Sequence, residues 1–589
     1  MNTQENQKLI NKHFHFKPLK KIEQVIKSFS VLEKIIFWTL ITITSITAFV
    51  LFINVNKEFL IDTPARGGTL NEGVIGTPRF INPLLAVSSV DRDLTSLIYS
   101  GLLKKTASGE FITDIAESYK ISDDKLEYNF KIKNNLKFHD GKPLTAEDVI
   151  FTILKAKDAE TDSSKRAEWD GVTIEKNSEF EIVFRLRQPQ INFLESATLG
   201  ILPKHLWENI PAGGFGLSKF NTEPIGSGPY KLKNIKRDST NIPINYTLSA
   251  FKDYSLGKPF IDKIVFHFAK NELELLKMIE DKKINSVSGI KPENASLFSN
   301  TKNINKIPLP RIFGLFFNQN ESKALADTAV RNALDLSISK QNIVNQILFG
   351  FAQVTESSIP PHLQSNPNIF STEKDLSEIE KESEEKISEA QKILERAGWK
   401  KNEDGIYVIE KNKEKIILSI TVSTSNVPEL LNIAEYIAQT WRKLGAEVSV
   451  KSFETQELNQ AIIRPRNFEV LLFGMIINNY SDLYAFWHSS QRLDPGINIT
   501  NYTNITIDRI VSELREATDL ERIKVLIEQF NQELQKEKPA IFLYTPDFIY
   551  ITPKNLSGIE NKKIKSSEER FINVHKWFMK IDKVWKIFN

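Results

Sequence analysis

The chain has 589 residues, too many for a single hydrophobic core and enough for two or three domains. Hydrophobic residues at 41% and charged residues at 26% exclude a disordered chain; 77 basic against 74 acidic residues leave a net charge of +3, without the concentrated basic face that nucleic acid requires. There is no cysteine, hence no disulfide, no thiolate metal site and no residue to carry a lipoprotein's lipid.

Taken in chain order, the first strong signal is a run without charge at residues 35–56. Of the 21 positions from Ile35 to Val55, 13 are Ile, Leu, Phe or Val. As a helix this run spans about 31 Å, the thickness of a bilayer's hydrocarbon core. Lys17, Lys20, Lys21, Lys27 and Lys34 precede it, so the positive-inside rule predicts a cytoplasmic basic tail (1–34), a transmembrane helix (35–55) and an outer region beyond Lys57. No small-x-small site follows, which argues against a cleaved signal peptide. Residues 18–34 read either as an amphipathic helix on the inner leaflet or as a solvated pre-helix. Residues 56–65 read as a short tether.

The outer region alternates strands and helices irregularly, the pattern of α/β lobes whose chain crosses over more than once. Residues 125–132 alternate, with Leu126, Tyr128, Phe130 and Ile132 on one side, and Phe180, Ile182, Phe184 and Leu186 repeat the pattern. Thr145, with Asp148 three residues on, opens a helix between them. A long charged helix is predicted over 371–398, ending at Gly398. A helix over 429–444, a strand over 447–453, helices over 507–516 and 520–536, and a strand over 541–544 follow.

Catalytic constellations are missing from the sequence. There is no HExxH, Walker A loop or GxSxG elbow, and the eight histidines are scattered. The expectation is a protein that is not an enzyme, with no catalytic residue, metal site or cofactor.

A series of short motifs carries more information. Gly67-Gly68-Thr69-Leu70 and Ile81-Asn82-Pro83-Leu84 come first, then Ala116-Glu117-Ser118-Tyr119. The strongest is Leu136-Lys137-Phe138-His139-Asp140-Gly141-Lys142-Pro143-Leu144-Thr145-Ala146-Glu147-Asp148-Val149. Pro224-Ile225-Gly226-Ser227-Gly228-Pro229-Tyr230, Val330-Arg331-Asn332-Ala333-Leu334 and Ala397-Gly398-Trp399 follow in order. Together they resemble the family 5 extracellular solute-binding proteins, the oligopeptide- and dipeptide-binding components of ABC importers. The motifs themselves are structural: Gly141 is free to take positive φ, Thr145 caps a helix, and His139 reads as a hydrogen-bonded turn residue.

The resemblance implies a two-lobed, type II clamp of the periplasmic-binding-protein kind, with lobe I at 66–310 and 539–589 and lobe II at 311–538. It implies a monomer that takes a peptide ligand and hands it to ABC transporter permease subunits. The peptide would add as a β-strand along Gly474, Met475, Ile476 and Ile477, with Ala86, Val87 and Ser88 contributing from the other lobe. The alternative is that Met475 and Ile476 are core. Relatives that bind peptides place an Asp here for the α-ammonium; this sequence has Asn478 and Asn479, with Asp482 the nearest carboxylate. That departure keeps two other readings in play: a binder of the same fold for a non-peptide solute, and a sensory or scaffold ectodomain.

Overall fold

Ser30 starts the first long helix by accepting a hydrogen bond from the Glu33 N–H, and the Glu33 carboxylate in turn accepts one from the Ser30 N–H at 2.8 Å. This helix, α1 (Val31–Phe59), contains the uncharged run. Thr39, Thr42 and Thr47 each bond back to the carbonyl four residues earlier, at 2.7–2.8 Å, which satisfies their hydroxyls within the apolar run. The computed structural model describes residues 25–190, 193–363, 376–517, 519–560 and 563–585. Residues 18–24 of the stretch read as an amphipathic pre-helix lie outside these.

The expected tether is ordered secondary structure. Helix α1 continues to Phe59 and passes directly into strand β1 (Leu60–Ala65), which pairs antiparallel with Lys580–Trp585 near the other end of the chain. The two termini therefore form one unit, and residues 66–579 form a second. Local sequence could not show this pairing, because the partner strand lies some 520 residues away in the chain.

The second unit is built on two main cores. The first begins with β2 (Thr69–Ile75) and α2 (Ser89–Ile98). The expected alternating strands are β3 (Glu127–Ile132) and β4 (Glu181–Leu186), which pair with each other, and Tyr128, Phe130, Ile132, Ile182 and Phe184 are buried. Between them stands α3 (Ala146–Lys157), whose Asp148 accepts from the Thr145 N–H and the Lys204 N–H, both at 2.9 Å. Strands β5 (Lys263–Ala269) and β6 (Ser286–Ser288) flank β2 in parallel. Arg570, fully buried, bonds Glu72 of β2 at 3.0 Å and Asp93 of α2 at 2.6 Å, and so ties the returning chain into this core.

Strand β7 (Asn303–Pro308) leads through Leu309 and Pro310 to β8 (Arg311–Phe317), which belongs to the second core. Helix α4 (Leu376–Arg396) buries Ala390 and Leu394 and ends at Gly398, φ +93°; the start predicted for it, at Ser371, lies outside the described residues. Strand β9 (Ser419–Ser425), helix α5 (Pro428–Leu444) and the parallel strand β10 (Glu447–Phe453) form a βαβ unit. Then come β11 (Val470–Ile476), α6 (Asp482–Trp487), α7 (Ile505–Glu516) and α8 (Leu520–Glu537).

The predicted strand at 541–544 is only the first part of β12 (Ala540–Thr552). Its beginning pairs with β8 and its end with β7 and β6. One continuous strand therefore passes from the second core to the first. The other crossing runs beside it, with the Leu309 N–H donating to the Pro546 carbonyl at 3.0 Å. The strand order in the large sheet is β10–β9–β11–β8–β12–β6–β2–β5, followed by two further strands. The last strand of the chain, β13 (Lys580–Trp585), is the partner of β1.

Candidate functional site

Strand β11 has one satisfied edge and one partly open edge. On the first it pairs with β8 in the register Ile476↔Arg311 through Val470↔Phe317. The Ile477 N–H donates to the Pro310 carbonyl and the Asn318 N–H to the Glu469 carbonyl, both at 2.9 Å. In an antiparallel ladder residues alternate in direction, so 471, 473, 475 and 477 face β8, while Leu472, Gly474 and Ile476 face the other way. On that other side β9 accompanies β11 only through Val470 and Leu471. Thr424 Oγ1 of β9 then donates to the Leu472 carbonyl at 3.2 Å, and the Asn426 N–H turns to the Phe453 carbonyl of β10. Past that divergence, no strand among the described residues pairs with the outward edge of Gly474 and Ile476. Each presents an N–H and a C=O, enough for a short extended ligand to make up to four main-chain hydrogen bonds.

The side chains divide in the same way. Met475 and Ile477 are buried in a core with Trp487 and Leu483, whereas Ile476 is 47% exposed. Gly474 is glycine for a packing reason: a Cβ there would come within 2.8 Å of the Phe313 ring. That ring is itself stacked on Tyr544 at 5.0 Å.

The residues after the strand form a turn. Asp482, at the start of α6, accepts from the Asn478 N–H at 2.8 Å and the Asn479 N–H at 3.2 Å. Ser481 Oγ bonds Asn479 Oδ1. The Asp482 carboxylate therefore holds the turn in place. Beside this end of the sheet, Glu429 in the first turn of α5 accepts from the Tyr544 hydroxyl at 3.4 Å, and burial raises its pKa.

The Ala86–Ser88 segment is a firmly built loop of the first core. The Ala86 N–H donates to Asn82, the Val87 carbonyl accepts from Arg92, and Ser88 caps α2 through Asp91. Val87 is 67% exposed. No hydrogen bond or ring contact joins this loop to β11 among the described residues. Ala86 instead borders a cavity of about 570 Å³ walled by charges that pair with one another: Arg92 with Glu568, Lys165 with Glu168 and Lys565 with Glu195, at 2.8–3.1 Å. Sequence reading missed this cavity, since its walls come from four separate segments of the chain: 83–99, 165–168, 195–200 and 565–569.

The strongest motif is a structural clasp. Gly226 N–H donates to His139 Nδ1 at 3.3 Å, so Nε2 carries the proton and donates to the Gly228 carbonyl at 3.1 Å. Burial pushes the imidazole pKa down to about 4, which keeps it neutral. Gly141 has φ +87°, as its turn requires. Gly226 and Gly228 are glycine for a packing reason: a Cβ on either would strike the backbone of Ile98.

A mixed α/β chain that crosses twice between two cores and leaves a strand edge open near the crossing has the two-lobed binding-protein fold. Residues 110–494 match the bacterial extracellular solute-binding proteins, family 5, and the chain belongs to that family. It is 29% identical over 525 residues to the oligopeptide-binding protein AppA of Bacillus subtilis, covering 88% of this chain and 92% of the relative. The structure of that AppA with a nonapeptide superposes with a TM-score of 0.59 over 88% of this chain and 99% of the other, at 28% identity. NikZ from Campylobacter jejuni, solved with Ni(L-His), gives a TM-score of 0.61 at 25% identity over 87% and 99% of the two chains. The dipeptide-binding protein of Escherichia coli is 23% identical over 80% of this chain and 87% of its own length.

Proposed function

We propose that this protein captures peptides outside the cytoplasmic membrane and delivers them to the permease of an ABC importer. The carrying observation is the open main-chain edge of Gly474 and Ile476 in a family 5 fold. Backbone pairing grips a ligand whatever its side chains, and AppA, crystallised with a nonapeptide, is the relative with which this chain shares 29% identity.

In this reading lobe I comprises residues 66–310 with 539–579, cut back from the expected end at 589 because 580–585 pair with β1; lobe II comprises 311–538, and the lobes close about the paired crossings at Leu309–Pro310 and Pro546. Val87 and its neighbours face the ligand from lobe I. The protein acts as a monomeric binder and not as an enzyme. Helix α1 anchors it as a single span, with the N-terminus inside. Because Asn478 and Asn479 are neutral and Asp482 is committed to its turn, recognition of a free α-ammonium falls to no carboxylate of this segment. That observation supports a second reading, a non-peptide or N-blocked ligand on the same edge.

Mass spectrometry of small molecules released on denaturing the natively purified protein tests both. Peptides of mixed sequence support the first reading, and a single non-peptide solute supports the second. Recovery of neither, with no calorimetric response to a peptide mixture, would refute peptide capture.

A further inference from the structure

The unit formed by the two termini has an apolar surface that no core explains. The uncharged run ends at Asn56, α1 continues to Phe59, and β1 follows without a break. Strand β13 runs antiparallel to β1, from Ala65↔Lys580 to Leu60↔Trp585. It therefore carries the chain back to the end of the helix. There the Trp585 ring stacks on Phe59, with centroids 6.5 Å apart and planes 19° apart. Leu60, Asp62 and Pro64 share one face of the ribbon with Trp585, Lys583 and Ile581. Phe59 is 49% exposed, Trp585 40% and Ile581 55%.

Helix and strand geometry set the height of this pair. Phe59 stands three residues beyond Asn56, about 5 Å at the helical rise, and Leu60 with Trp585 lies about 3 Å further. The headgroup layer on each side of a bilayer is about 5–8 Å deep. If α1 spans the membrane up to Asn56, the stacked rings fall within that layer. An indole there buries its ring against acyl chains and turns its N–H to water, which is why tryptophan collects at such interfaces. The Asp62↔Lys583 pair comes two residues further along the ribbon, about 7 Å farther from the helix end.

We infer that Trp585, stacked on Phe59, is a second membrane anchor in the outer headgroup layer, so that the C-terminal strand as well as α1 contacts lipid. This inference rests on the reading of α1 as a membrane span. Its occupant is the lipid surface itself. The paired strands also hold Ala65 and Lys580 side by side.

The absence of cysteine makes the test direct, because any introduced cysteine is unique. Full-length Phe59→Cys, Trp585→Cys and Lys583→Cys proteins are labelled with a small environment-sensitive fluorophore. They are reconstituted in phosphatidylcholine–phosphatidylglycerol vesicles with or without lipid carrying a nitroxide on its headgroup. Lys583→Cys retains Trp585 and covers the case in which the tryptophan variant unpairs the ribbon. The expected result is quenching of roughly twofold or more at 59 and at 585, or at 583 should the ribbon of Trp585→Cys unpair, as interfacial placement requires. Quenching at 59 with none at 585 or 583 overturns the inference and leaves the helical anchor standing. No quenching at 59 overturns the membrane reading and this inference with it.

Discussion

Ile476→Pro isolates the open edge of β11 from the fold that holds it. Proline removes one N–H, and the ladder phase points that N–H away from β8, since the Ile477 N–H is the one that reaches Pro310. The bonds to β8 at 475 and 477 remain, and the residue before a proline prefers the extended conformation Met475 already has. Ile476 is 47% exposed, so little burial is lost and unfolding stability should fall by less than about 1 kcal/mol. A ligand strand loses one main-chain bond, worth about 0.5–1.5 kcal/mol, or roughly 2- to 12-fold in affinity. The proline ring also occupies the space of the missing hydrogen, which places the expected loss at the upper end. Ile476→Val keeps the N–H and should bind within about twofold of the parent. Met475→Pro is the counter-test: Met475 is 1% exposed and faces Ile312 across the ladder, so it should cost about 2–4 kcal/mol of stability. The assay is calorimetric titration with the ligand released from the native protein, beside urea unfolding of all three variants. A folded Ile476→Pro protein that binds as tightly as the parent would refute main-chain capture at this edge. Equal destabilisation by the two prolines would refute the assigned ladder phase.

Three further outcomes follow from particular residues. Asp547, at the crossing of β12, has an Oδ1 closed off from solvent without a hydrogen-bond partner among the described residues; burial pushes its pKa up to about 6, against the pull of Lys306 on β7. The folded state therefore keeps a proton that the unfolded chain releases above about pH 4, and stability drops as pH rises toward 6; Asp547→Asn should gain about 1–2 kcal/mol at pH 7.5 and nothing at pH 4, and an equal gain at both pH values in urea unfolding would contradict this. Arg570→Met leaves Glu72 and Asp93 buried without their cation, so the urea midpoint at pH 7.5 should reflect a loss of about 3–5 kcal/mol; a loss below about 1 kcal/mol would show that this network contributes little. Gly228→Ala puts a Cβ 2.7 Å from the Leu97 carbonyl oxygen and should cost about 2–3 kcal/mol, whereas Gly141→Ala meets open space and only a positive φ, costing about 1 kcal/mol; the reverse order in thermal unfolding would falsify the packing argument.

What the sequence determined by itself was whatever depends on neighbours in the chain. The alternation of residues 125–132 produced β3, the cap at Thr145 produced α3, and the apolar run produced α1, because side-chain period and capping chemistry act within a few residues. Family membership was legible because the motifs keep their residue types and their order along the chain, whatever each later touches. Tertiary structure decided what depends on partners far along the chain. Whether Gly474 and Ile476 are paired or open rests on where β9 leaves β11, and no local pattern encodes the point at which one strand stops following another. The supposed tether became β1 because its partner, β13, closes a loop of more than 500 residues. A strand's hydrogen bonds are made sideways, to whatever chain lies beside it, so its edges are set by the fold and not by its own residues.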